Sequence, residues 1–310
     1  MKAAVCMSYG SPEVLKISDV PKPQPNERQI LVKIFATTVN SADVRVRGLD
    51  VKGFMKIIMQ LVLGISKPRK PILGTVFSGV VENMGSKVSK FKAGDKVFGM
   101  TGFNFGTHSE YITVSENSNV LPMPQNASFE EAASLVFGGQ TALYYLNKAK
   151  ISEIFCPKIL ILGATGSVGI SAVQIAKYYH AEITVLCSSK GYNLIKKLGV
   201  DKVILYDKHD FAKHTEKHDI IFDAVGKYTK KQCKHLLNNN GLFKSVSIGY
   251  ASENLQQLQQ LKELFEKGEL QAVIDKTFQL DQIIEAHKYV DTGRKKGNVV
   301  VLVNQCHTQN

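Results

Sequence analysis

A glycine string constrains this chain more than any other feature. Gly163-Ala164-Thr165-Gly166-Ser167-Val168-Gly169 lies between an apolar run, Ile159–Leu162, and a helical pattern that begins near Ser167. Glycines let a backbone turn tightly and approach a pyrophosphate, and a helix N-terminus adds free N–H groups with partial positive charge. The string alone is weak; its position gives it weight. Val168, Ala172, Ile175 and Tyr179 recur at helical spacing. Ile183–Cys187 then reads as a strand, Asn193–Leu198 as a helix and Val203–Leu205 as a strand, with Ile220–Asp223 and Leu242–Ile248 completing the series. Five strands with helical crossovers imply a doubly wound α/β unit, its parallel sheet covered on both faces. At the first strand-to-helix turn of such a unit, the string is a dinucleotide-binding signature.

The end of the second strand selects the dinucleotide. An NAD enzyme places Asp or Glu there, about 20 residues past the loop, for the ribose 2′-hydroxyl. Here the run is Val185-Leu186-Cys187-Ser188-Ser189-Lys190, with no acid. Hydroxyls and Lys190 suit a 2′-phosphate, so NADPH is the expected cofactor.

The first 120 or so residues differ in character, being short strands between turns: Lys2–Met7, Gln29–Val39, Val76–Met84, Lys96–Gly99 and Tyr111–Val114. Ser128 with Glu131 resembles a capping box opening a helix over Phe129–Phe137. In the tail, Leu255–Glu266 is helical, Ala272–Phe278 extended, Asp281–Val290 helical and Asn298–Val303 a strand. The expected division is discontinuous: a β-rich unit from residues 1–122 and 268–310, and the dinucleotide-binding unit over 123–267.

Composition narrows the function classes. At 310 residues and 44% apolar, the chain can build a real core. Five scattered cysteines without a Cys-x-x-Cys pair argue against a disulfide framework or a cysteine-rich zinc site. The longest greasy stretch, Phe54–Ile65, falls short of the ~20 residues of a membrane span, and a cytoplasmic location is expected. The net charge of +12 describes a surface rather than a fold. The lysines are spread along the chain with no aromatic-rich RNA motif, so nucleic acid is not the expected partner.

These residues, with their flanking segments, resemble the medium-chain dehydrogenase/reductase superfamily. The likeness is to its zinc-independent quinone oxidoreductase branch, which includes the zeta-crystallin-like and reticulon-4-interacting-protein-like reductases. The markers run through nearly the whole chain: Tyr9–Leu15, Val39–Asp43, Gly79–Glu82, Phe91–Val97, Glu130–Ala133, Gly138–Ala142, the glycine loop, Asp223–Gly226 and Gly297–Val300. The resemblance implies a GroES-like β-rich catalytic domain beside a Rossmann domain. Carried over by position, residues Gly163, Ala164, Thr165, Gly166, Ser167, Val168 and Gly169 take the pyrophosphate. Ser188, Lys190 and Tyr206 fall at 2′-phosphate positions. Thr141, Ala224, Val225, Gly226, Ser247, Ile248 and Gly249 line the nicotinamide half, and Asn298 reaches the cofactor from the tail.

The chain departs from the pattern in two places. The catalytic metal-ligand positions of the zinc-using alcohol dehydrogenases hold Asn40, Thr75 and Phe137, and the four-cysteine structural lobe is missing. No metal is expected. The histidines do not restore a site, because His209, His214 and His218 sit in a Lys-rich connection and read as surface residues. After Tyr250 the usual further helix and sixth strand are skipped. The sheet is therefore expected to end at its fifth strand, leaving a monomer or a non-standard homodimer.

Without a metal, the least demanding reaction is hydride transfer to a quinone or an α,β-unsaturated carbonyl. Asn40 and Asp43 are candidates for positioning or proton relay, with a structural turn carboxylate as the alternative for Asp43. Arg45 either orients a carbonyl oxygen or lies on the surface. Gly53–Ser66 is either a greasy lid or ordinary core. Enoyl-thioester reduction, and non-catalytic NADPH or RNA binding, are the competing functions.

Overall fold

The protein is described here from a computed structural model covering residues 1–49, 54–200 and 202–304, without the side chains of 54–58 and 212. Gly53, and the side chains of Phe54, Met55 and Ile58 in the expected lid, lie outside the described residues. The chain opens with β1 (Lys2–Cys6), β2 (Leu15–Asp19), β3 (Gln29–Val39), α1 (Ser41–Gly48) and α2 (Phe54–Leu63). Next come β4 (Val76–Met84), β5 (Lys96–Met100), β6 (Tyr111–Ser115), β7 (Val120–Pro122) and α3 (Phe129–Lys148). The alternating region holds β8 (Lys158–Leu162), α4 (Ser167–Tyr178), β9 (Glu182–Cys187), α5 (Tyr192–Lys197) and β10 (Lys202–Leu205). It continues through β11 (His218–Asp223), α6 (Lys230–Cys233), β12 (Leu237–Ser245) and α7 (Leu255–Glu266), and the tail adds β13 (Ile274–Gln279), α8 (Ile283–Asp291) and β14 (Asn298–Leu302).

Two compact units result, Met1–Val136 with Ile274–Asn310, and Phe137–Val273. In the first, a seven-stranded sheet runs β13-β14-β3-β4-β5-β7, with β6 also paired to β3. β3 anchors it because Ile30, Val32 and Ile34 alternate onto one buried face, meeting Phe77, Val81, Val97 and Val114. Antiparallel β14 pairs Val299 with Val39, so the tail completes this unit.

The division falls inside α3, between Val136 and Phe137, and again between Val273 and Ile274, rather than after residues 122 and 267 as expected. The first turn of α3 is held by the β-rich unit: Phe129 stacks on Phe35 at 4.6 Å, and Ser78 Oγ donates to Phe129 O at 2.6 Å. The capping box is present, Glu131 N donating to Ser128 Oγ (3.2 Å) and Ser128 N to the Glu131 carboxylate (2.9 Å). The helix does not stop at Phe137 as expected; it continues to Lys148. Gly138 and Gly139 are contact points rather than breakers. A Cβ at Gly138 would lie 2.5 Å from Ser167 O, so glycine lets α3 lie backbone to backbone against the start of α4.

In the second unit all strand pairs are parallel, in the order β10-β9-β8-β11-β12. Leu160, Leu162, Leu186 and Ile221 form its centre, buried with Leu236 and Leu237. The described sheet ends at its fifth strand. β12 runs from Leu237 and stops at Ser245, not Ile248, because hydrogen bonds at its end turn the backbone away. No helix among the described residues is long and apolar enough to cross a membrane.

Candidate active site

At the C-terminal end of β8, Gly163 adopts φ +78°, and its N–H donates to Leu186 O at 3.0 Å. A Cβ on Gly169 would stand 2.3 Å from Gly163 O, and one on Gly163 would stand 2.3 Å from Val225 Cγ1. Thr165 Cγ2 occupies the space 2.4 Å from where a Gly191 Cβ would be. The loop therefore packs against both the β9 end and the β11 end. α4 follows with twelve residues and no acid in its first turn, so its first amides, without intrahelical acceptors, face an uncancelled positive dipole end.

Asp223 organises the β11 end and is fully buried. Its Oδ1 accepts from Val225 N (3.2 Å) and Gly226 N (3.0 Å), and its Oδ2 from Tyr228 N (3.0 Å) and Ser245 Oγ (2.9 Å). Ser245 Oγ lies 2.8 Å from Ser247 Oγ and accepts from Ser247 N at 3.2 Å. A hydroxyl has one proton; with that of Ser245 given to Asp223, Ser247 donates to Ser245. One carboxylate thus fixes Ala224–Gly226 and the turn at Ser247. Gly249 takes φ +81° just beyond, and Tyr145 Oη holds Ile248 O at 3.3 Å. Buried Thr141 lies one turn before Tyr145 on the same face of α3.

At the β9 end, Ser188 precedes a single 3-10 turn, Ser189–Gly191, that presents Lys190 to solvent. Tyr206 is exposed and donates its N–H to Cys187 O at 3.1 Å. The structure brings together Ser188, Lys190 and Tyr206, and adds an acid the sequence analysis missed. Asp207 accepts from Ser189 N at 2.9 Å and Ser189 Oγ at 2.5 Å, bonds that hold its carboxyl below the usual range. It comes from the third strand's end, where a rule about the second strand does not look.

The other candidates lie in the β-rich unit. Asn40 caps α1: its Oδ1 accepts from Ala42 N (2.8 Å) and Asp43 N (3.3 Å), and Asp43 Oδ2 accepts from Asn40 N (2.8 Å). Asn40 Nδ2 donates to Thr75 Oγ1 at 3.1 Å. Arg45 is exposed, whereas Arg47 is buried and paired with Asp291 at 2.7 Å. Asn298 opens β14 and is buried. In α2, Leu63 and Met59 pack on the core while Leu61 and Val62 face solvent, so the segment serves the core on one side. The histidines need a correction. His209 is exposed as expected, but His218 is buried and His214 half-buried, because His218 begins a central strand.

Burial raises Asp43 from the ordinary 3.8 to about 7. Between those values the folded state holds the extra proton, so ionising Asp43 removes stability as pH rises. Asp43→Asn keeps an acceptor for Asn40 N and deletes the charge. Its Tm relative to wild type is expected to climb between about pH 4 and pH 7 and to level off above that; a pH-independent difference would refute this.

Residues 26–125 match the alcohol dehydrogenase GroES-like domain family, and residues 167–274 and 248–301 match zinc-binding dehydrogenase families. The chain is 33% identical to 2-methylene-furan-3-one reductase of Solanum lycopersicum, covering 97% of this chain and 79% of the relative. It is 31% identical to the mitochondrial NAD(P)H oxidoreductase RTN4IP1 of Bos taurus, covering 98% and 89%. The quinone oxidoreductase from Coxiella burnetii superposes with a TM-score of 0.87 at 29% identity, covering 98% and 99%.

Proposed function

The chain belongs to the medium-chain dehydrogenase/reductase superfamily, in its quinone and enone oxidoreductase branch, and on that premise we propose a zinc-independent, NADPH-dependent reduction of quinones or α,β-unsaturated carbonyls. The observation that carries this reading is the cradle at the β8 end, where Gly163 and Gly169 let the loop pack closely, a Cβ on either meeting Val225 or backbone, and so set the N-terminus of α4 at the strand end. The residues fit the cofactor. The amides of α4 take the pyrophosphate, Ser188, Lys190 and Tyr206 take the 2′-phosphate, and the Asp223-held loops with Thr141 border the nicotinamide. Asn298 is proposed to reach the cofactor from β14. When bound, NADPH supplies the hydride; the chain orients substrate and keeps water out.

NADPH is preferred because Lys190 stands exposed at this corner and Asp207 is engaged by Ser189. NADPH is expected to bind more tightly than NADH, and Lys190→Ala to weaken NADPH by about tenfold, the worth of one charge-assisted contact, with NADH unchanged. Titrations in which NADH binds more tightly would overturn the preference.

Zinc does not fit the family's catalytic position. Asn40 Nδ2 is committed as a donor to Thr75, and Phe137 has no donor atom. Quinone reduction should therefore survive exhaustive chelation. Asn40 and Asp43 act as positioning residues through their capping box, and exposed Arg45 is available to a substrate carbonyl. With β12 as the last strand, light scattering is expected to give a monomer, or a dimer that does not extend this sheet.

A further inference from the structure

His214, Glu216 and His218 stand at alternate positions of the connection entering β11, with one donor atom from each within 4.8 Å of the others. The rings of His214 and His218 lie nearly parallel, 6.2 Å apart. His218 is 1% exposed, yet neither of its ring nitrogens makes a hydrogen bond of normal geometry, and buried His214 Nε2 has none either. Buried polar atoms without partners are rare in native proteins, and each calls for an explanation. Glu216 gives Oε1 to Lys202 at 2.6 Å, while its Oε2 faces His214 Nε2 at 3.9 Å, beyond hydrogen-bond reach. From these juxtaposed donors we infer a binding site for a divalent first-row transition ion of the zinc type.

The donor set selects the ion. Two imidazoles and one carboxylate suit zinc, cobalt or copper and disfavour calcium and magnesium, which take oxygen ligands. Zinc bonds near 2.1 Å at tetrahedral angles place donors roughly 3.4 Å apart, so the cluster closes by on the order of 1 Å. The Leu236 carbonyl beside the His218 ring can accept the proton of the non-ligating nitrogen. Lys202 and Lys158 both also pair with Glu182, so Lys202 keeps a counter-ion when Glu216 turns its free oxygen to a metal. The site lies at the opposite end of β11 from Asp223, five residues or about 17 Å along the strand. It therefore pins the β10–β11 connection and takes no part in reduction, and it stands whether or not the reading above does.

The test uses tag-free full-length chain, stripped with chelator and titrated with zinc and with cobalt. One equivalent of zinc is expected to bind in the micromolar range and to raise Tm by several degrees at high excess. Cobalt should develop the visible bands of a four-coordinate N/O site. His214→Asn and Glu216→Gln, both half-buried and away from the sheet core, should each weaken binding at least tenfold with NADPH oxidation unchanged. Failure to bind an equivalent below millimolar zinc, or binding undiminished in the folded His214→Asn/Glu216→Gln double variant, would overturn the site.

Discussion

Gly169→Ala is expected to lower both NADPH affinity, by more than a hundredfold, and Tm. The new Cβ would lie 2.3 Å from Gly163 O and 2.7 Å from Ala164 Cα, and neither atom can swing aside as a side-chain tip can. Relief requires α4 to move off the β8 end, carrying away the amides proposed to hold the pyrophosphate. Overpacking of this kind costs typically 1–3 kcal/mol, and a hundredfold loss of binding corresponds to about 2.7 kcal/mol. Gly166→Ala is the control that separates fold from cradle. Its φ is −79°, and the nearest atom to a Cβ there is Gly163 O at 4.0 Å. This variant should keep its Tm and lose affinity only insofar as the methyl meets the cofactor. Equal Tm losses in the two variants would remove the close-packing account of Gly169.

Periodic elements were legible to the residue where one interaction sets them. β3 and β4 follow from apolar, β-branched-rich runs bounded by turns, and α7 from leucines at helical spacing, opened by the Asn254 cap. The glycine loop was legible because its chemistry is local: turn, strand and helix are contiguous. α3 shows the converse. Gly138-Gly139 looks like a stop, and only the approach of Ser167, some thirty positions on, reveals it as a close contact. The cofactor corner failed in the same way, since Asp207 reaches Ser189 from a neighbouring strand. His218 read as a surface residue because lysines surround it in sequence, whereas the sheet buries it. Side chains whose partners come from another strand leave no periodic trace.

Asp223 is the clearest case of that kind, and its removal should cost most. Asp223→Ala leaves the N–H groups of Val225, Gly226 and Tyr228 and the buried Ser245 hydroxyl without their shared acceptor. Hydrogen bonds to a charged group contribute roughly 1.5–3 kcal/mol each, part of which water recovers once the loop opens. A stability loss of about 3 kcal/mol follows. kcat/KM should fall by at least a hundredfold, because Ala224–Gly226 and Ser247 lose their fixed positions together. Asp223→Asn divides the effect. Its oxygen can still accept from Val225 and Gly226, and Ser245 can rotate to donate elsewhere, but its amide meets Tyr228 N–H donor to donor. The asparagine variant should therefore recover most of the Tm and less of the rate, the shortfall appearing in the NADPH Kd. Wild-type kinetics in Asp223→Ala would mean that the two loops hold their shape without the carboxylate, and the site would then have to be organised by the α4 cradle alone.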